Sequence, residues 1–359
     1  MRKIIFGGNF DPVHLGHLHM ARIARDTFNA DVIFVPAKVG VWKEDSIAPE
    51  HKIAMLKLAI QDEKRFYIDD FELKQEQQPF SITTIRYFRK RYPKAELFFL
   101  IGQDQVNSFH LWKEPEKIAK IAQIIYFERP KLELKLENVQ KYHMQALDGL
   151  TIDVASSDIR NLKSIAVSEN VLSYIEENNL YFIPKIQSYI KQSRYEHSLS
   201  VAHLACHLAK IHHLDYQKAY IAGLLHDIAK GIDKDESLSL MKRFYPEYVN
   251  MGAPIYHQFL GEMVVKKDFD INDVDILEAI KYHTTGKANM NWLDKIVYSA
   301  DKIEPTRGYD SSDFIKAIEE DLDQGFLTIL KANKEYLVKK NIAISNGLDG
   351  ECFAYYLND

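Results

Sequence analysis

The 359-residue sequence predicts an α/β domain on a mostly parallel sheet, followed by an all-helical domain. Three observations carry that expectation. Up to about residue 182, short apolar strands alternate with longer helical stretches, the pattern of a doubly wound sheet with helices on both faces. From about Ile186 onward the strand signal disappears and the remaining patterns are helical. The first strand candidate also runs directly into Gly7-Gly8-Asn9-Phe10-Asp11-Pro12-Val13-His14-Leu15-Gly16-His17, a glycine turn that enters a helix through two histidines.

The strand candidates are Lys3–Phe6, Asp31–Pro36, Phe66–Ile68, Glu96–Ile101, Gln123–Phe127 and Thr151–Val154, with helical patterns between several of them, such as Ile53–Gln61 and Ser81–Arg91. In the second half the helical stretches are Ser198–Ile211, Gln217–Ala229, Glu236–Phe244, Asp275–Tyr282, Trp292–Glu304 and Asp313–Lys340, the last with a break near Gly325. Pro184 is expected to end one helical stretch at the domain boundary. The domains are therefore expected at residues 1–182 and 186–340, with a tail over 341–359.

Composition is ordinary, with 46% hydrophobic and 27% charged residues. A net charge of −5 argues against a general nucleic-acid binder, so any phosphate site must be local. Cys206 and Cys352 offer neither a disulfide framework nor zinc spacing. No apolar run approaches ~18 residues and strand residues begin at Ile4, so a soluble cytoplasmic protein without membrane partners is expected. A homo-oligomer is compatible with the sequence.

Ligands of parallel α/β sheets sit at the carboxyl ends of strands, which is where the turn after Phe6 lies. Glycines allow close backbone approach, and a helix N-terminus attracts phosphate through its unpaired N–H groups. His14 and His17, three residues apart, fall on one helix face and can address a polyphosphate from one side. The string is neither the dinucleotide fingerprint nor a P-loop. It resembles the nucleotidyltransferases of the HIGH type, with their Rossmann-like fold and His-x-Gly-His motif. Its second half, with His14 before Leu-Gly-His, is more similar to nicotinate mononucleotide adenylyltransferases than to pantetheine-phosphate adenylyltransferases.

Adenylyl transfer requires alignment of two phosphates, Mg²⁺ brought with ATP, and stabilisation of the leaving pyrophosphate. Val154-Ala-Ser156-Ser157-Asp-Ile-Arg160 supplies two hydroxyls and an arginine at a helix start. It resembles the family's triphosphate-contacting Ser-Ser-x-x-Ile-Arg element. Ile101-Gly102-Gln-Asp104 with Trp112-Lys113 resembles the stretch whose aspartate contacts the ribose region and whose tryptophan packs on the pyridine ring. Phe80-Ser81-Ile-Thr83-Thr84 resembles the segment near the nicotinate, with Thr83 in place of an aspartate, and the 36–43 stretch keeps the final lysine, Lys43, of a Pro-Pro-His-Lys element. The resemblance implies a site of Gly7, Gly8, Asn9, Phe10, Asp11, His14, His17, Lys43, Ser81, Gly102, Asp104, Trp112, Ser156, Ser157 and Arg160.

The helical half carries a second chemistry. His226-Asp227 lies in the apolar run Ala222-Gly-Leu-Leu-His-Asp-Ile-Ala-Lys230. A buried carboxylate costs several kcal/mol unless it is paired or metal-bound. His197, projecting with Val201, Leu204, Leu208 and Ile211, faces the core, while His257, His283 and Asp301 complete a candidate set of four imidazoles and two carboxylates. His203 and His207 point away from that stripe and read as solvent-side. Such a donor set suits Fe, Mn or Zn without choosing among them. Together with Arg194-Tyr-Glu-His, His283-Thr-Thr-Gly and Asp301-Lys-Ile-Glu-Pro-Thr-Arg307, it resembles the HD superfamily of metal-dependent phosphohydrolases, and within it a bacterial family that cleaves diadenosine tetraphosphate into two ADP. That resemblance implies a two-metal, iron centre bridged by Asp227, with Lys230 and Arg307 holding phosphates.

The expected protein is therefore bifunctional. Its small-molecule partners are ATP, nicotinate mononucleotide and diadenosine tetraphosphate. The alternatives are another phosphate acceptor for the first domain and, for the second, another nucleotidase or alarmone hydrolase, a non-catalytic nucleotide sensor, or a dimerising scaffold.

Overall fold

The structure, a computed structural model, describes residues 1–38, 47–128, 133–149, 152–342, 344 and 347–358. The chain forms two compact units, Met1–Arg160 with Ile165–Leu180, and Asn161–Ser164 with Tyr181–Asp359.

Among the described residues of the first unit, β1 (Arg2–Gly8), β2 (Asp31–Pro36), β3 (Phe66–Ile68), β4 (Glu96–Gly102), β5 (Gln123–Phe127) and β6 (Gln145–Leu147) form one parallel sheet in the order β3-β2-β1-β4-β5-β6. The order reverses between β1 and β4, where Ile4 pairs with Phe98 on one side and Val32 on the other. A crevice outside the carboxyl ends of those two strands is the expected ligand position. The intervening helices are α1 (Leu15–Phe28), α2 (Pro49–Ile60), α3 (Ser81–Arg91), α4 (Gln103–Ser108), α5 (Pro115–Ile121), α6 (Leu136–Lys141), α7 (Ser156–Arg160) and α8 (Glu169–Glu177). The central strands are buried along most of their length because helices cover both faces. Ile5, Ile33 and Phe99 pack with Ile82, Ile85 and Phe88 of α3 on one face.

The sixth strand differs from the expectation. The described residues of Thr151–Val154 carry no strand, and β6 lies at Gln145–Leu147 instead. There only Leu147 is buried, so this edge strand has no apolar run to betray it.

The second unit is helical: α9 (Phe182–Tyr189), α10 (Gln192–Ile211), α11 (Tyr216–Leu225), α12 (Lys234–Phe244), α13 (Tyr256–Asp268), α14 (Val274–Tyr282), α15 (Trp292–Ile303), α16 (Ser312–Glu320), α17 (Leu322–Lys339) and α18 (Leu348–Leu357). Pro184 does not end a helix; it sits in the first turn of α9, where no intrahelical N–H is required. The break expected near Gly325 falls at Asp321, whose side chain caps α17 by accepting from the Gln324 N–H. Gln217–Ala229 is not one helix either. Helix α11 stops at Leu225, so His226 and Asp227 stand at its C-terminal end. In the tail, α18 buries Cys352 and Phe353 against Tyr298, Phe326 and Leu330.

Candidate active sites

The loop after β1 is shaped by side-chain packing. Phe10 takes a left-handed φ of 45° and buries its ring between Phe6, Phe34 and His17. A Cβ on Gly8 would sit 2.9 Å from that ring, so a side chain there would force the ring to shift. His14 then caps α1. Its Nδ1 accepts from the His17 N–H at 3.3 Å, and the His17 Nδ1 accepts from the His14 N–H at 3.3 Å. Gly16 lies under the His14 ring, where a Cβ would be 3.0 Å from Nδ1.

The Ser156–Arg160 segment is fastened to the same loop. The Arg160 guanidinium donates to the Asp11 carbonyl at 2.6 Å, and the Ser156 hydroxyl donates to the Pro12 carbonyl at 2.9 Å. Ser157 is exposed beside it. Gly7 and Gly8 end β1, and Gly102 ends the adjacent β4, with exposed Asp104 in the turn of α4 that follows. Ser81 and Trp112 meet across a cavity of about 250 Å³ that Phe80 and Lys113 also line, with the Lys113 ammonium 4.4 Å from the Phe80 ring centroid. Trp112 is propped by Phe99 and Phe109. Lys43 lies outside the described residues.

Sequence reasoning missed Lys52 and Glu72. Buried Lys52 of α2 donates to the Asn9 side chain at 2.7 Å, behind the glycine turn. Buried Glu72 accepts from the Thr84 hydroxyl at 2.6 Å and from Gln78 at 2.7 Å, and burial raises its pKa above the ordinary carboxylate range despite both bonds.

In the second unit all six candidate metal ligands converge. Asp227 faces two ways. Its Oδ2 is 3.5 Å from His226 Nε2 and 4.0 Å from His197 Nε2, and its Oδ1 is 3.3 Å from His257 Nε2 and 3.5 Å from His283 Nε2. Asp301 Oδ1 joins the first group, 3.2 Å from His197 Nε2 and 3.5 Å from His226 Nε2. Three rings are held by their far nitrogens: His226 Nδ1 on the Gly223 carbonyl at 2.7 Å, His283 Nδ1 on the Ile280 carbonyl at 2.7 Å, and His197 Nδ1 on Glu304 Oε1 at 2.9 Å. Those contacts place the ring proton on Nδ1 and turn the Nε2 lone pair inward, as metal ligation requires. His226 Nε2 and Asp227 Oδ1 are buried without a hydrogen bond among the described residues. These orphaned atoms, and the two groups that share Asp227, fit a pair of divalent cations.

The electrostatics agree with a cation site. Burial alone would raise both carboxyls, but the neighbouring imidazoles hold Asp227 well below the usual range, and Lys302, His197 and His226 do the same for Asp301. Desolvation, with the His283 and His226 rings respectively, lowers His257 and His283 and favours neutral donors. Burial opposes charging His226, yet Asp227 and Asp301 outweigh it and raise its pKa to about 10, so a cation there competes with a proton.

Around this set stand Arg194, Lys302 and Thr284, to which the sequence assigns no role, and Lys230 and Arg307, which it expects to hold phosphates. Arg194 donates to Asp227 Oδ2 at 2.9 Å, Lys302 to Asp301 Oδ2 at 3.0 Å, and the Thr284 hydroxyl lies 3.1 and 3.0 Å from the His257 and His283 Nε2 atoms. Arg307 donates through Nε to the Asp301 carbonyl at 2.7 Å and through Nη2 to its carboxylate. Lys230 is exposed, one turn beyond Asp227. His203 and His207 are exposed, and His207 pairs with Glu319 at 2.7 Å.

Residues 5–162 match the cytidylyltransferase-like family model and residues 194–306 match the HD domain model. A Mycoplasma genitalium protein named probable nicotinate-nucleotide adenylyltransferase/Ap4A hydrolase is 32% identical over 338 residues, covering 91% of this chain and 96% of the relative. An Aquifex aeolicus probable nicotinate-nucleotide adenylyltransferase is 42% identical over 142 residues, covering 39% of this chain and 83% of the relative. A Clostridium acetobutylicum crystal structure, described as a predicted HD superfamily hydrolase involved in NAD metabolism, is 32% identical, covers 49% of this chain and 96% of that one, and superposes with a TM-score of 0.45. Matched through both of its domains to nearly the whole length of such a relative, the chain belongs to the nicotinate-nucleotide adenylyltransferase/Ap4A hydrolase family.

Proposed function

We propose that the first unit transfers AMP from ATP to nicotinate mononucleotide, and that the second hydrolyses diadenosine tetraphosphate to two ADP. In the first reaction an acceptor phosphate oxygen forms a bond to the α-phosphorus of ATP, the bond from that phosphorus to the bridging oxygen breaks, and pyrophosphate leaves. His14, His17 and Arg160 stabilise the charge that develops on the phosphates. Gly7, Gly8, Asn9, Phe10 and Asp11 shape the turn against the nucleotide, Ser156 and Ser157 address the triphosphate, and Asp104 after Gly102 addresses the ribose. Ser81, Trp112 and Lys43 belong to the acceptor side. Mg²⁺ accompanies ATP as a counter-charge.

In the second reaction a water oxygen bonds to phosphorus and the central P–O–P bridge breaks, leaving two ADP. His197, His226, Asp227 and Asp301 would hold one cation, and Asp227, His257 and His283 the other, with iron the proposed metal. Bound there, the cations supply Lewis-acid charge at phosphorus and lower the pKa of water. Arg194, Lys230, Lys302 and Arg307 supply fixed positive charge for the remaining phosphates.

The observation that carries the second reading is the carboxylate of Asp227, which offers one oxygen to each of two histidine groups. For the first it is the His14–His17 cap at the end of β1. No helix among the described residues is long and apolar enough to cross a membrane. Product analysis of the purified chain tests both activities: ATP with nicotinate mononucleotide should give nicotinate adenine dinucleotide and pyrophosphate, and diadenosine tetraphosphate should give ADP alone. AMP with ATP from the second substrate would refute symmetrical cleavage.

A further inference from the structure

Resting on the two-cation reading above, we infer that Gln258 is a positioning residue for the second group of metal ligands. Its side-chain amide staples the backbone after His283 to the helix that carries His257, and so sets the spacing of those two imidazoles. His257 stands in the first turn of α13, and His283 caps the C-terminal end of α14. They are 26 positions apart in the chain, yet their Nε2 atoms lie 3.2 Å from each other. As ligands, both nitrogens aim lone pairs at one place, an arrangement that needs support from outside the ligand set.

Gln258 is the neighbour of His257 and is fully buried. Its Oε1 accepts from the Thr284 N–H and the Thr285 N–H, each at 3.3 Å, and its Nε2 donates to the Thr285 hydroxyl at 3.2 Å. One amide thus holds both residues that follow His283. The Thr285 hydroxyl passes the connection on by donating to the Gly286 carbonyl at 2.9 Å. Thr284 carries the hydroxyl that faces the His257 and His283 Nε2 atoms, so the same staple aims that group as well. The turn is also packed against α18: Gly286 has a left-handed φ of 70°, and a Cβ there would sit 2.6 Å from the Cys352 Sγ. An apolar side chain of the same length would fill the place of Gln258 without the cost of burying an amide, a cost offset only by hydrogen bonds. Here those bonds all go to the turn after His283. Among the described residues Gln258 makes no hydrogen bond to His197, His226 or Asp301. Its loss should therefore fall on one cation and spare the other.

The test loads the full chain with Mn²⁺, counts bound ions by metal analysis, and measures the affinity of each by chelator competition. Electron paramagnetic resonance reads the spin-coupled pair. Wild type should bind two ions. Gln258→Met, which keeps the chain length and removes the hydrogen bonds, should hold the tighter ion within about twofold and weaken the other about 10–100-fold, as loss of a ligand-supporting contact does. Its coupled-pair signal should fall in step. Gln258→Glu keeps an acceptor for both N–H groups and should hold the second ion within about threefold of wild type. Equal affinity for both ions in Gln258→Met, or an equal loss of both, would overturn the role of Gln258 and leave the two-cation reading standing. A wild-type chain that binds a single ion would overturn the two-cation reading and the role with it. Should Gln258→Met fail to fold, Gln258→Glu decides: retention of the second ion upholds the staple, and its loss from folded protein overturns it.

Discussion

His14 and His17 lie ring on ring, with centroids 3.6 Å apart and planes 23° from parallel, and each Nδ1 accepts the other residue's backbone N–H. With both Nδ1 atoms committed as acceptors, a neutral ring carries its proton on Nε2. Two donors are thereby preset at a helix N-terminus by backbone geometry alone. Donors oriented before charge develops pay no reorganisation in the transition state.

Replacing His17 by Ala should therefore lower the adenylyl-transfer rate by about 10²-fold or more, as loss of a preorganised donor does. The same change removes half of the α1 cap, and loss of a cap costs about 1 kcal/mol. Pyrophosphate release should accordingly be measured on protein whose thermal midpoint is known. A loss under threefold in folded protein would place the chemistry elsewhere.

The acceptor should be the mononucleotide of nicotinate rather than of nicotinamide. Ser81 and Trp112 line one cavity, with the Lys113 ammonium held over Phe80 beside them, so a cation is at hand for a carboxylate. Turnover of the two mononucleotides at equal concentration decides the matter, and equal or better use of the amide defeats the claim.

The parallel sheet was legible because strands buried on both faces read as continuous apolar runs: Val32 to Pro36 and Leu97 to Ile101 have no exposed residue. Helix α13 was not. Its first residues, Tyr256, His257, Gln258 and Phe259, are all buried, so polar residues on the buried side erase the helical period. The candidate metal ligands stood out as charges in apolar surroundings. Their partners did not: Glu304 meets His197 across 107 positions, Arg194 meets Asp227 across 33, and only the fold makes such contacts visible.

Glu304 should act through His197 rather than on substrate. Its carboxylate accepts from His197 Nδ1 at 2.9 Å and from the Thr306 N–H at 2.7 Å. Partners of this kind are worth about 10–100-fold in metal affinity or activity. Glu304→Ala should weaken metal retention by that factor in a chelator competition, while Glu304→Gln, which keeps an acceptor, should restore most of it. Equal metal affinity for wild type and Glu304→Ala would remove the role.

Glu72 predicts a pH dependence of stability. Burial raises its pKa in the folded chain above the unfolded value of about 4.3, so the fold prefers the neutral acid. That preference is satisfied below the unfolded pKa and is lost as pH rises through the raised folded one. Glu72→Gln keeps a neutral acceptor for the Thr84 hydroxyl. The variant should therefore unfold at a higher temperature than wild type at pH 8, and the gap should close toward pH 4. A gap that is absent at pH 8, or that widens in acid, would show that the carboxylate is the stabilised form.

Asp227 tests the whole architecture. Its two oxygens address separate histidine groups, so Asp227→Ala removes a ligand from both at once. Metal content should fall by at least one ion per chain, and hydrolysis of diadenosine tetraphosphate should disappear, because a lost ligand outweighs the 10–100-fold of a lost supporting contact. His14 and His17 bond each other's backbone N–H, and Arg160 bonds the Asp11 carbonyl, all within the first unit. Adenylyl transfer by Asp227→Ala should therefore stay within twofold of wild type with Mg²⁺ present, and His17→Ala should keep its transition metal and its hydrolase rate. If folded Asp227→Ala lost both activities, the sites would be coupled, and the helical unit would have to be read as a regulator of the transferase rather than as an independent enzyme.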